Sequence, residues 1–286
     1  MFEKRSLFNT FNIHGPLLKA IQYGHLDIVQ FFIDNGVQKN EGIIIASRYG
    51  QLDIVKLLIK YDESIHVGNE SSLQYASKYG HEAVVEYLLQ QGSFSLIAFH
   101  NAIKYNKFSI VKLFLKYHNH YTFYEIMLAT EYDHLEIFKL FKYMDSDIFQ
   151  LFQRACRFGS LEIAKYITTF TDKSIITSNK NYSIRFASKN GHYEIVKFLL
   201  ENNADIHTDD DYPIRIASQK GHLKVVELLI EKNANIHALN GYALQWADVN
   251  YHTDIVDLLL LNGAHGSPRN YSKKLFPNGI PEFQRV

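Results

Sequence analysis

Histidine is the first residue type that suggests chemistry, because the chain holds fourteen and imidazole is a common metal ligand. Six follow a glycine or its equivalent at regular steps, and three more share a second recurrent position. Residues that recur once per packed unit lie about 10 Å apart, too far apart to share one ion. His118 and His120 form the only close pair in the sequence, without an H-E-x-x-H or cysteine–histidine cluster. We therefore predict no metal and no cofactor.

Cys156 is the only cysteine, which excludes an internal disulfide and is typical of a reducing compartment. A catalytic thiol needs a base beside it. Cys156 instead occupies a position that other copies of a repeated stretch fill with serine, which favours a packing role.

Asp209, Asp210 and Asp211 place three carboxylates in one turn, but a calcium loop needs more oxygen ligands at alternating spacing. We interpret them as a solvated turn, with contact to a basic partner as the alternative. The chain has no G-x-G-x-x-G, P-loop or G-x-S-x-G motif. These observations predict that the protein is not an enzyme.

An aromatic side chain recurs just before the glycine of each turn, or its equivalent, in six copies of the repeated stretch. We call this set the aromatic column: Tyr23, Tyr49, Tyr79, Tyr105, Tyr132 and Phe158. At about 10 Å per step it would extend roughly 50 Å. Exposed aromatic patches mark binding surfaces, which makes the column the candidate protein-binding site. The alternative is that the rings pack along the stack with only the hydroxyl groups in water.

The elements that must position these residues are repeats. A stretch of thirty residues begins at Tyr182 and returns from Tyr212 and Tyr242. Alignment on the glycine–histidine turn extends the series to nine copies, each with an alanine five places before the histidine position. Self-similarity at such a period indicates a solenoid, and an unvarying alanine indicates close packing of helices.

Apolar residues after each turn follow the i, i+3, i+4, i+7 spacing of an amphipathic helix of about ten residues. A second, shorter helix is predicted before the turn, as in Ile214–Lys220. Glycine at the junction supplies the left-handed conformation that ends this helix. Helices this short are marginal alone, so neighbouring copies must stabilise one another.

The bulk composition excludes several other classes. Basic and acidic residues balance at 30 each, which gives no indication of nucleic-acid or membrane partners. No signal peptide or membrane-spanning run is recognisable. We expect an intracellular, cytoplasmic protein that is monomeric.

The repeats resemble those of ankyrin-repeat proteins. Gly15–Ala20 and Tyr212–Ala217 are similar to the family pattern T-P-L-H-x-A, and the Gly-His turn follows. The repeats are rich in Tyr, Ile, Asn and Lys, a composition similar to that of ankyrin proteins of giant, mimivirus-like DNA viruses. The resemblance implies an all-α ankyrin solenoid of about nine repeats. It also implies that the aromatic column faces a concave groove in which a protein partner binds.

Steps of 26 to 32 residues are shorter than the family period of about 33, so we expect shortened β-turn fingers. We predict a cap at residues 1–14, a repeat domain at 15–265 and an irregular tail at 266–286. Within the domain, short-period repeats at 15–170 precede a linker at 171–181 and regular repeats at 182–265.

The resemblance implies a scaffold for protein–protein interaction. One alternative is an adaptor that recruits substrates to a host ubiquitin ligase, because residues 275–282 faintly resemble an F-box-like segment. The other alternative is a structural virion component.

Overall fold

The computed structural model describes residues 14–38, 42–61 and 64–266. Apart from His14 and Gly266, the predicted N-terminal cap and C-terminal tail lie outside the described residues. Within the described part of the chain there are eighteen α-helices and no strand, which confirms the all-α helix-turn-helix architecture.

The helices form nine consecutive pairs, and we call the two members of a pair the first and second helix of a repeat. The first five repeats comprise α1 His14–Tyr23, α2 Leu26–Asp34, α3 Gly42–Arg48, α4 Leu52–Lys60, α5 Val67–Tyr79, α6 Glu82–Gln90, α7 Leu96–Lys104, α8 Phe108–Tyr117, α9 Phe123–Glu131 and α10 Leu135–Phe138. The last four comprise α11 Asp145–Phe158, α12 Leu161–Thr168, α13 Ser174–Asn190, α14 Tyr193–Glu201, α15 Thr208–Lys220, α16 Leu223–Glu231, α17 Ala238–Val249 and α18 Thr253–Leu261.

The chain divides into two compact units. The first unit comprises Met1–Ala129 with Glu136–Phe141, and the second comprises Thr130–Leu135 with Lys142–Val286. In the first unit α3 packs on α5 and α5 on α7, while in the second α11, α13, α15 and α17 pack in series. Each unit therefore stacks first helix on first helix.

The recurrent alanines lie where neighbouring first helices touch. All nine are buried. In eight of the nine first helices, the residue eight places before the turn histidine position is also buried, with 0–2% exposure: Leu17, Ile43, Leu73, Phe99, Phe152, Ile184, Ile214 and Leu244. Because a larger side chain would separate the helices, the small residue sets how closely the repeats approach.

The turn between the two helices of a repeat holds the next repeat in place. His81 Nε2 lies 2.8 Å from the Arg48 carbonyl oxygen of the preceding repeat, and that oxygen can only accept, so Nε2 carries the proton. The imidazole lies on Gly50, where an added Cβ would come 2.5 Å from His81 Nδ1. Gly50 has φ +75°, so glycine is required both for this close approach and for the backbone conformation.

The same bond from Nε2 to a carbonyl recurs in the second unit. It joins His192 to Arg157 at 2.9 Å, His222 to Lys189 at 3.0 Å and His252 to Gln219 at 3.2 Å. In the first unit Gln51 makes it with an amide, because its Nε2 donates to the Gln22 carbonyl at 3.1 Å. The bond therefore needs a side-chain N–H that reaches the carbonyl of the preceding repeat, and an amide can supply it as well as an imidazole.

Four first helices contain a left-handed turn of three residues in their N-terminal halves, which lengthens them beyond the short helix predicted from the sequence. Residues 68–70, 179–181, 209–211 and 239–241 all have positive φ. Gly, Asn and Asp tolerate this conformation best, which explains the backbone role of Asp209–Asp211. Asp211 is also buried, accepts a hydrogen bond from the Asn235 N–H at 2.8 Å and lies 2.9 Å from His207 Nδ1.

Leu239 tests the cost of these left-handed turns, because it is an exposed leucine with φ +48°. Leu239→Gly should raise the free energy of unfolding by about 1 kcal/mol, since glycine has no Cβ to clash in this conformation. The measurement is urea unfolding followed by circular dichroism. The control is Leu261→Gly at the exposed end of α18, which should lower stability by up to about 1 kcal/mol. Equal effects of the two substitutions would contradict the prediction.

His192 gives the fold a dependence on pH. Burial lowers its pKa from the ordinary 6.5, and nearby His222 lowers it further, although the bond to the Arg157 carbonyl opposes the shift. The unfolded chain then binds the proton more readily, so stability is present above pH 6.5 and is lost as pH falls below it.

His192→Gln should weaken this dependence, because an amide keeps the hydrogen bond without titrating, as Gln51 does in its repeat. The decrease in the free energy of unfolding between pH 7.5 and 5.5, measured with urea at both values, should be smaller than in the unchanged protein. An identical decrease in both proteins would refute the role of His192.

Candidate protein-binding surface

The aromatic column lies at the ends of the first helices, on the side away from the core. In α5 the buried residues are Ser72, Leu73, Ala76 and Ser77, a stripe with helical spacing. Tyr79 comes two residues beyond this stripe and points outward, 41% exposed. The turn glycine then reverses the chain, so the aromatic residue stands at the edge of its helix.

Every member of the column is exposed in part, and none is buried. The exposed fractions are 66% for Tyr23, 41% for Tyr49 and Tyr79, 39% for Tyr105, 40% for Tyr132 and 42% for Phe158. The rest of each residue is covered by the protein. Packing and exposure to solvent therefore coexist in the same residue.

In the first unit, basic side chains lie beside the column. The Arg48 guanidinium is 5.9 Å from the ring centroid of Tyr49, 5.7 Å from that of Tyr75 and 5.6 Å from that of Tyr79. Lys78 Nζ is 5.5 Å from Tyr79 and 5.3 Å from Tyr105. These distances are typical of cation–π contacts. Each cation therefore connects rings of two successive repeats.

In the second unit, basic side chains likewise lie beside Phe158 of the column and beside Phe186, which is outside it. Arg157 lies 5.8 Å from the Phe158 ring and 5.7 Å from the Phe186 ring, and Lys189 lies 5.6 Å from Phe186. Arg154 also contacts Phe158, at 5.3 Å, but it is ion-paired with Glu131.

The cations were not among the residues predicted from the sequence. A signal was present, because a basic residue directly precedes four of the six aromatic residues: Arg48, Lys78, Lys104 and Arg157. A lysine or arginine next to an aromatic residue is common on helix surfaces. Only the structure shows that Arg48, Lys78 and Arg157 turn toward the rings of the next repeat.

A second aromatic row in the second unit has a structural role. Tyr182, Tyr212 and Tyr242 begin the regular first helices after their left-handed turns. Arg215 lies 5.6 Å from Tyr212 and 5.1 Å from Tyr242. It is 9% exposed and donates to the Asp210 carbonyl at 2.8 Å and the Asp209 carbonyl at 2.7 Å. Arg215 thus stabilises the turn rather than an open surface.

The structure does not favour catalysis by Cys156 or metal binding by the described residues. Cys156 is buried, and burial raises the pKa of its thiol to about 12, although a hydrogen bond with Ser183 opposes the shift. The thiolate is therefore suppressed at neutral pH. Within residues 14–38, 42–61 and 64–266, no three His, Cys, Asp or Glu side chains are grouped to hold a metal ion.

Paired helices, buried alanines and glycine turns define a helical repeat protein, and the chain belongs to the ankyrin-repeat family. The model of three consecutive ankyrin repeats matches residues 17–97, 126–210 and 184–270. This finding confirms the predicted family.

The curated relatives include two proteins of Acanthamoeba polyphaga mimivirus, as the sequence style predicted. Ankyrin repeat protein L56 is 30% identical over 189 residues, which are 62% of this chain and 28% of that protein. Ankyrin repeat protein L72 is 24% identical over 201 residues, 68% of this chain and 48% of that protein. The chain thus spans less than half the length of these relatives.

A relative outside the virus is alpha-latrotoxin-Lh1a of Latrodectus hasselti, 31% identical over 83 residues, which are 28% of this chain and 6% of that protein. Among the described residues, no helix is both long enough and apolar enough to cross a membrane.

The column should contribute little to folding, because its side chains are only half-buried. Tyr49→Ala, Tyr79→Ala and Tyr105→Ala should each lower the free energy of unfolding by about 1–2 kcal/mol. Phe99→Ala, at a residue that is 2% exposed, should cost about 3–5 kcal/mol. Urea unfolding of the four variants measures the difference. Costs for the tyrosines equal to that of Phe99 would show that the rings belong to the core.

Proposed function

We propose that this protein is a non-enzymatic scaffold that binds another protein through the aromatic column on its first helices. The observation that carries the proposal is the partial exposure of all six aromatic side chains. Large rings are costly to leave in water, and the core of each repeat is closed without them. A surface of this kind suits a partner that covers the rings.

The family supports the same conclusion at a coarser level, because ankyrin repeats are generally modules for protein–protein interaction. The partial exposure of the column at the ends of the first helices supports the groove position that the resemblance implies. We further propose that the protein acts as a monomer in the cytoplasm, which would be the host cytoplasm for a viral protein, and needs no cofactor.

The adaptor and virion alternatives make different predictions about what binds. The segment at residues 275–282, which suggested recruitment of a ubiquitin ligase, lies outside the described residues. Recovery of a ligase subunit through this segment would favour the adaptor. Stoichiometric incorporation into particles would favour a virion component.

The test is affinity capture from the native cell with the triple variant Tyr49→Ala, Tyr79→Ala and Tyr105→Ala. A matched control replaces three half-buried tyrosines of the same unit that lie on or directly after second helices: Tyr61, Tyr87 and Tyr117. A partner that binds the column should be reduced at least tenfold with the first triple, because exposed aromatic anchors dominate interface energies.

The control triple should retain the partner, provided that circular dichroism shows both variants folded. Equal retention of every partner by the two triples would refute binding through the column. Equal loss from both would show that the substitutions act through stability rather than through the surface.

A further inference from the structure

We propose that the partner of the first unit is an acidic, extended protein segment, bound along what we call the tyrosine–cation strip: Arg48, Tyr49, Tyr75, Lys78, Tyr79 and Tyr105. The proposal rests on the proposed function and adds the chemistry of the partner.

The first helices of the first four repeats carry nearly all their charge in one sign. In α1, α3, α5 and α7 the basic residues are Lys19, Arg48, Lys78 and Lys104. The one carboxylate in these four helices, Glu70, is already engaged, because it contacts His66 Nδ1 and accepts a hydrogen bond from the Ser93 hydroxyl. A positive surface thus occurs on a chain with no net charge.

Within the part of the chain that the structure describes, Arg48 and Lys78 are not neutralised by a carboxylate. Neither forms an ion pair with a carboxylate among the described residues, although eight such pairs occur elsewhere in that part of the chain. Their neighbours are aromatic rings, which orient the cations without cancelling their charge. An incoming carboxylate would meet an ordered cation beside a tyrosine ring and could form a charge-assisted hydrogen bond.

The same contacts favour a protein over a single-stranded nucleic acid. Nucleic-acid grooves also combine basic and aromatic residues, but there the bases stack on open ring faces. Here Arg48 lies over the rings of Tyr49, Tyr75 and Tyr79, and Lys78 lies over those of Tyr79 and Tyr105. The protein's own cations therefore compete for the faces on which bases would stack.

The repeat spacing indicates an extended segment. First helices stack at about 10 Å, so cations that recur once per repeat are separated by about that distance. A polyproline II segment rises about 3.1 Å per residue and has three residues per turn. Acidic residues at every third position would then lie on one side of the segment, about 9 Å apart, which nearly matches the spacing of the cations.

The second unit shows the same pairing of cations with aromatic rings. Arg157 and Lys189 contact Phe158 and Phe186, and neither cation is ion-paired with a carboxylate among the described residues. The combination of an aromatic residue and an unneutralised cation is therefore a recurrent feature of the chain.

The test uses a fluorescein-labelled peptide with five Glu-Pro-Ser repeats and measures binding to the full chain by fluorescence anisotropy. The charge-reversal variant is Arg48→Glu with Lys78→Glu, and a milder variant is Arg48→Gln with Lys78→Gln. The matched control is Lys56→Glu with Lys112→Glu, because these lysines also lie beside rings but on second helices. Thermal melts establish that every variant is folded.

We expect the peptide to bind, to weaken at least tenfold with charge reversal and about threefold with the glutamines, and to be unaffected in the control. A peptide with Lys-Pro-Ser repeats should not bind. Absence of binding of the acidic peptide, or equal weakening in the control, would overturn the inference. Tighter binding of a labelled fifteen-residue oligothymidine than of the peptide would overturn it in favour of a nucleic acid.

Failure of this inference can be told from failure of the proposed function. If the tyrosine triple still loses a captured partner while charge reversal retains it, the column binds a protein that is not acidic. If both variants retain every captured partner, the proposed function itself fails.

Discussion

The contact on which the stack depends is the packing of a histidine of one repeat against the glycine turn of the repeat before it. His81 on Gly50 shows the geometry, with a donated hydrogen bond to the Arg48 carbonyl and no room for a Cβ between ring and backbone. The bond satisfies a carbonyl at the end of a helix, where no intrahelical donor remains. One contact thus completes a helix terminus and joins two repeats.

The position of the proposed binding surface follows from this arrangement. With the turn fixed, the residue before the glycine lies at the exposed edge of the first helix, and the residue before that can reach the ring of the next repeat. Arg48 therefore has a carbonyl held by His81 and a side chain over Tyr79. The scaffold and the proposed binding surface are built from the same few positions of each repeat.

Much of the fold follows from the sequence, because each repeat is a local pattern. The unvarying alanines, the apolar spacing after the turn and the Gly-His step predicted an all-α solenoid, and the resemblance to the T-P-L-H-x-A pattern implied the ankyrin family. The helices and the family comparison confirm both. The predicted length of the first helices was less accurate. The left-handed turns at residues 209–211 and 239–241 extend them, whereas Asp209–Asp211 were interpreted from the sequence only as a solvated turn or a contact to a basic partner.

The sequence by itself determined the register, and therefore which residues recur at the column and which recur in the core. Only the tertiary structure decided how those residues are surrounded. Side chains of the neighbouring repeats decide whether Tyr79 is exposed, whether Lys78 lies over the Tyr105 ring and whether Arg48 pairs with a carboxylate. Periodicity places a residue on one face of its helix, but the burial and charge pairing of that residue depend on the side chains that pack between repeats.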